Sequence, residues 1–178
     1  MKLYHYAPKG NTVLENGLLS FAKNPEANLK YYIRRSGANT FEGILKWFES
    51  CFTGRSRAIR AFTEPIKWNE NSLSLKDFVE KADLFSIDVD ALQKDGLLEC
   101  IYFSPSVANI PNLKKNNNAD ELLIKLYGIK DISQYPIDWS LCNDKLKHRF
   151  EFVPYYLLVI KSGAIPPKYI KLESPEKI

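Results

Sequence analysis

Cysteine and histidine are scarce in this chain, and their scarcity removes several functional classes. Cys51, Cys100 and Cys142 are widely spaced, odd in number and outside any CxxC pair, which argues against a disulfide framework and against a zinc knuckle. Two histidines, His5 and His148, are too few for a histidine-rich metal site, so no metal is expected. No apolar run approaches the roughly 18 residues of a membrane span, and Met1-Lys2-Leu3-Tyr4-His5-Tyr6 lacks the apolar stretch of a signal peptide. The sequence therefore predicts no membrane partner and a cytoplasmic protein, with delivery into a target cell by a machine that reads a carboxy-terminal signal as the alternative. One-sided charge is lacking too. The 25 Lys+Arg against 21 Asp+Glu give a net +4, which permits contact with nucleic acid or an acidic partner without requiring it.

Apolar and aromatic residues are plentiful, at 45% and 13% of 178 residues, enough to build the core of one domain. That domain is expected over residues 1–172, with residues 173–178, charged and holding Pro175, as a frayed tail. Lys2 to Tyr6 reads as a short strand stopped by Ala7-Pro8-Lys9-Gly10. Asn11-Thr12 would cap a brief helix that Asn16-Gly17 closes. Asn28 to Ile33 fits either a helical turn or a strand, and Thr40 to Phe52 carries Phe41, Ile44, Leu45, Trp47 and Phe48 at helical spacing. Arg55, Arg57 and Arg60 then cluster, following Arg34 and Arg35. Such a cluster suits a phosphate, although a solvated face is the commoner use of exposed arginine. A helix is predicted over Leu75 to Ala82 with Ser74 as its cap. A strand follows over Leu84 to Val89, with Asp88 or Asp90 capping a short helix after it. Asp120 to Tyr127 is read as a helix ended by Gly128.

Two aromatic stretches carry the strongest signals. Cys100-Ile101-Tyr102-Phe103-Ser104-Pro105-Ser106 is a strand that proline stops, leaving Tyr102, Phe103 and Ser104 at its exit. Phe150-Glu151-Phe152-Val153 opens a long aromatic and β-branched run reaching Ile160, followed by Ile165-Pro166-Pro167-Lys168-Tyr169-Ile170. By strand alternation Glu151 points away from the face of Phe150 and Phe152, as an acid on a half-exposed strand ordinarily does.

With Leu3-Tyr4-His5-Tyr6 and Val13-Leu14-Glu15-Asn16-Gly17-Leu18-Leu19-Ser20, these stretches stand in an order that resembles the ADP-ribosyltransferase fold. The likeness is greatest to the nucleic-acid-modifying transferase toxins of bacterial toxin-antitoxin pairs, and smaller to the RNA 2′-phosphotransferases. It covers about 45 residues, made of short motifs, and leaves the stretch from Asn24 to Asp95 unmatched. The resemblance implies an α+β fold in which two small, mostly antiparallel sheets form a split cleft among helices. It also implies transfer of ADP-ribose from NAD, the co-substrate, to a protein or nucleic-acid acceptor, with a neutralising partner protein for a toxin or effector of this kind. Glu151 would be the catalytic carboxylate and His5 the ribose-binding histidine. Tyr102 or Ser104 would meet the nicotinamide, with Phe103 open as the third choice of register. Tyr6 and an arginine would be secondary cofactor contacts, Arg57 standing for the five candidates Arg34, Arg35, Arg55, Arg57 and Arg60.

Two other readings come from different classes. A cysteine hydrolase would use Cys51 with His148 and Asp144, but Cys51 has no evident base to activate it. A binding module would keep the scaffold without turnover. In that case Glu151 would be sealed in a salt bridge away from His5.

Overall fold

The computed structural model describes residues 1–27, 29–66, 73–104, 124–126, 129, 132 and 155–173. The chain is a mixed α+β structure of small antiparallel sheets and short helices. Strand β1 (Lys2–Pro8) leads through a turn into helix α1 (Val13–Asn16) and the two-residue strand β2 (Leu18–Leu19). Asn11 rather than Thr12 holds the start of α1, its Oδ1 accepting from the Val13 N–H at 3.0 Å. Gly17 ends the helix at φ 80° and ψ −175°, and its lack of a side chain serves packing as much as the turn: a Cβ there would lie 2.1 Å from the Ile165 carbonyl oxygen.

Helix α2 (Leu29–Ser36) resolves the helix-or-strand alternative for that region. Helix α3 (Phe41–Cys51) follows the predicted apolar spacing, with Thr40 accepting from the Gly43 N–H at 3.1 Å as its cap. Phe21, Ile44 and Phe48 form a small core of their own beneath these helices. A 3-10 turn (Arg55–Arg57) and strand β3 (Ala58–Ala61) come next. Glu49 at the end of α3 fixes that turn by accepting from the Gly54 N–H at 2.7 Å and the Ser56 hydroxyl at 2.8 Å. Partial burial alone would push the Glu49 carboxyl up, but these donors outweigh it and hold it below the ordinary glutamate range.

Helix α4 (Leu73–Glu80) begins earlier than its sequence suggests, so Ser74 lies within the helix instead of capping it. Strand β4 (Ala82–Asp88) runs into helix α5 (Val89–Lys94), where Asp88 is the cap, accepting from the Ala91 N–H at 3.0 Å. Strand β5 (Leu98–Ser104) and strand β6 (Ile124–Leu126) are paired. The helix predicted over Asp120 to Tyr127 is thus corrected at its described residues, which are strand. A short run rich in leucine and isoleucine has no period of its own that separates the two states, and pairing with the edge of β5 decides it. Strand β7 (Tyr155–Ile160) is buried at every position. Strand β8 (Ala164–Ile165), a second 3-10 turn (Pro167–Tyr169) and strand β9 (Ile170–Glu173) complete the described chain.

The sheets are β1-β4-β9, β3-β7-β5-β6 and the pair β2-β8, antiparallel throughout. One apolar core joins the first two, with Leu3, Phe85 and Ile87 on one side and Ile59, Phe103, Tyr156 and Leu158 on the other. Their only ladder contact among the described residues is a single bridge: Tyr4 and Phe62 exchange N–H···O=C bonds of 2.7 and 2.8 Å.

Candidate functional site

His5 follows Tyr4 on β1, next to the bridge between the two sheets. Phe62 spends its N–H and C=O on Tyr4, so Arg60, two residues earlier on the same strand, directs its backbone groups to the same side. The His5 ring reaches across from β1, and its Nδ1 lies 2.7 Å from the Arg60 carbonyl oxygen. A carbonyl can only accept, so Nδ1 carries the proton and the neutral ring presents Nε2 as an acceptor. Burial holds the His5 pKa below the ordinary histidine value; the Arg60 carbonyl opposes that shift and the Arg60 charge adds to it. His5 is therefore a neutral imidazole of fixed tautomer, partly exposed where two sheets meet.

The ladders place the remaining candidates. Arg60 opposes Leu157, Leu157 opposes Tyr102 and Tyr102 opposes Lys125, so these four residues form one row on one sheet face. Phe103, buried, lies on the opposite face with Ile101 in the core, which removes it from the open choice among Tyr102, Phe103 and Ser104. One side of the Tyr102 ring is covered by Phe52, stacked at 3.9 Å. Position 104 opposes Tyr155 at the start of β7. The Arg60 guanidinium lies over the Tyr155 ring, 4.0 Å from its centroid. Along this sheet Arg60 and Tyr102 are two interstrand spacings apart, roughly 10 Å.

His5, Arg60 and Tyr155 are thus neighbours, with Tyr102 and position 104 on adjoining strands. Tyr6 is elsewhere in its bonding: its hydroxyl accepts from the Ile66 N–H at 2.8 Å and its ring packs against Phe62 and Phe78. Burial pushes that phenol up, partly offset by the Ile66 N–H. Arg57 is also engaged, donating to Glu99 at 2.6 Å and to the carbonyls of Lys161 and Ile160 at 3.1 and 3.4 Å. These bonds fasten the 3-10 turn to the bulge of β5 and to the end of β7. Glu151, together with Cys142, Asp144, His148 and Trp139, lies outside the described residues. Among the described residues, no group of three or more His, Cys, Asp or Glu side chains is placed to hold a metal ion. Nor does any helix there have the length and apolarity to cross a membrane.

Tyr155 is the member of this group that sequence reasoning missed. Its signal is indirect. Arg60 interrupts the buried pattern Ile59/Ala61, and a cation on a half-buried strand needs a neighbour to lie against. A tyrosine across the sheet supplies one, but the register that brings it there is not written in either segment alone.

No protein-family model, curated protein or solved structure matches the chain significantly.

Proposed function

We propose that the protein is a mono-ADP-ribosyltransferase that moves ADP-ribose from NAD to a macromolecular acceptor, protein or nucleic acid, acting as a bacterial toxin or effector. The observation that supports this reading best is His5: a neutral imidazole, its tautomer set by the Arg60 carbonyl, standing where two small antiparallel sheets meet. That is the chemistry of a group that accepts a hydrogen bond from a sugar hydroxyl without adding positive charge beside a sugar that becomes cationic. The bond to be broken joins nicotinamide to ribose. Nicotinamide leaves with its electron pair, positive charge grows on the ribose, and an acceptor oxygen or nitrogen forms the new bond to the same carbon.

Glu151 is assigned the anionic role in that step. Its carboxylate would accept a ribose hydroxyl, stabilise the oxocarbenium-like transition state and take the proton that the acceptor loses. Only three residues separate it from Tyr155, the first residue of β7, which faces Arg60. Tyr102 and Ser104 on β5 are assigned to the nicotinamide end.

The experiment is transfer of label from NAD carrying a tagged adenosine to proteins or nucleic acids of a mixed lysate, with parent and Glu151→Gln in parallel. The reading predicts labelled acceptor with the parent and a loss of about 10²-fold or more with the variant. Equal labelling by both would overturn the role of Glu151. An unlabelled lysate with NAD bound but intact would instead favour the binding module.

A further inference from the structure

We infer that helix α2 and the start of α3 form a docking surface for single-stranded nucleic acid, with Lys30 and Arg34 on its phosphates and Phe41 against a base. The inference does not need the NAD reading; where both hold, the acceptor is a nucleic acid. Charge is the first observation. Residues 23–60 contain eight of the 25 Lys+Arg and three of the 21 Asp+Glu, so the whole positive excess lies in this stretch and the remainder of the chain is close to neutral. Several of these cations are engaged inside the protein. Lys46 pairs with Glu42 at 2.8 Å and Arg57 with Glu99 at 2.6 Å, while Arg55 and Arg60 lie over aromatic rings. Helix α2 differs: it carries Lys30, Arg34 and Arg35 and no acid. Lys30 and Arg34 are exposed and make no hydrogen bond or ion pair among the described residues. Four positions apart, they share one side of the helix and are separated by about 6 Å along its axis, a spacing comparable with that of successive phosphates on a nucleic-acid strand.

The second observation is an exposed ring close to these cations. Phe21 packs with Tyr32 of α2 at 5.0 Å and with Phe41 of α3 at 5.7 Å, and only residues 37–40 separate Phe41 from the end of α2. The Phe41 side chain is nonetheless 46% exposed, and Ile33, next to Arg34, is 37% exposed. Both helices rest on a small core of their own, apart from the core that joins the sheets. Exposed cations with an exposed aromatic beside them suit a single strand, since the cations take the phosphates and the ring stacks on an unpaired base. A duplex has no free base face to offer. A lipid surface is opposed by Glu42, exposed next to Phe41, whose charge is offset toward a phosphate by its pairing with Lys46.

The test is fluorescence anisotropy, without NAD, of labelled oligonucleotides about 20 nucleotides long: a single strand of RNA, the same strand as DNA, and its duplex, each titrated at several salt concentrations. The variants are Phe41→Ala, the double change Lys30→Gln with Arg34→Gln, and Lys9→Gln as an exposed control on another element. Thermal melts establish that each is folded. The parent is expected to bind either single strand more tightly than the duplex. Neutralising Lys30 and Arg34 should lower the log–log salt slope by about 1.4 and the affinity by about 10-fold or more. Phe41→Ala should lose about 5-fold or more with the salt slope unchanged, a readout that separates stacking from charge. Lys9→Gln should stay within about twofold of the parent. A parent that binds no single strand, one that prefers the duplex, or α2 and Phe41 variants that bind like the parent overturns the inference and leaves transfer to a protein acceptor standing. Capture of the parent by vesicles of anionic phospholipid, with no binding to a strand, overturns it in favour of a membrane surface.

Discussion

At the scale of single residues, His5 joins two jobs in one ring. Its Nδ1–H donates to the Arg60 main-chain carbonyl, and that bond leaves Nε2 as the acceptor of the ring. The structural job has a pH signature. The folded state lowers the His5 pKa from its ordinary 6.5, so between the lowered value and 6.5 the unfolded chain binds more protons than the folded one. Stability therefore rises with pH across that window, is complete above it, and falls as His5 is forced to protonate. Melting temperature followed from pH 7.5 downward should begin to drop near 6.5, at higher pH than the losses from carboxylates such as Glu49, whose pKa is held below 4.5. His5→Gln should remove the upper part of the drop. If the variant keeps the same profile, the neutral imidazole is not the cause. A second residue prediction concerns Gly17, where a positive φ coincides with a backbone approach that leaves no room for Cβ. Gly17→Ala is expected to cost about 2–4 kcal/mol in urea unfolding. The sequence offered this glycine as a helix terminator, which it is. Its larger reason, the Ile165 carbonyl, lies 148 positions away in the chain and carries no local mark.

At the scale of elements, local signals were legible wherever they were strong. The strand of His5, helix α3 with its Thr40 cap and the Asp88 cap of α5 follow from alternation, helical spacing and capping chemistry. The failure at β6 has the opposite cause: Ile124-Lys125-Leu126 is too short to show a period, and its state is set by Ile101, Tyr102 and Phe103 opposite it. Strand β7 is where the elements depend on one another most, since it lies between β3 and β5 and is buried at each residue. Leu158→Ala on this strand should therefore destabilise by about 2–5 kcal/mol in urea unfolding, with the folded variant retaining its far-ultraviolet spectrum. A loss under 1 kcal/mol would mean that β7 is not the central support it is taken to be.

For the whole molecule, the junction of two small antiparallel sheets is what sets His5 beside Arg60 at the candidate site. The sheets share one apolar core and exchange main-chain bonds through the Tyr4 and Phe62 pair, and His5 stands next to that junction. The sequence named His5, the Tyr102 to Ser104 strand exit and Glu151 through the order of three motifs, and the structure places the first two on described strands while Glu151 lies outside the described residues. It did not tell Arg60 from Arg57, because both stand in one basic cluster and only the ladders show which of them adjoins β1. The central claim is that this site breaks the bond between nicotinamide and ribose with Glu151 as the anionic group. The measurement that tests it most directly is nicotinamide release from NAD by the purified parent and by Glu151→Gln, each shown to be folded. The account predicts steady release by the parent and a fall of about 10²- to 10⁴-fold in the variant; release that is equal in both, or absent from a folded parent supplied with protein and nucleic-acid acceptors, would contradict it.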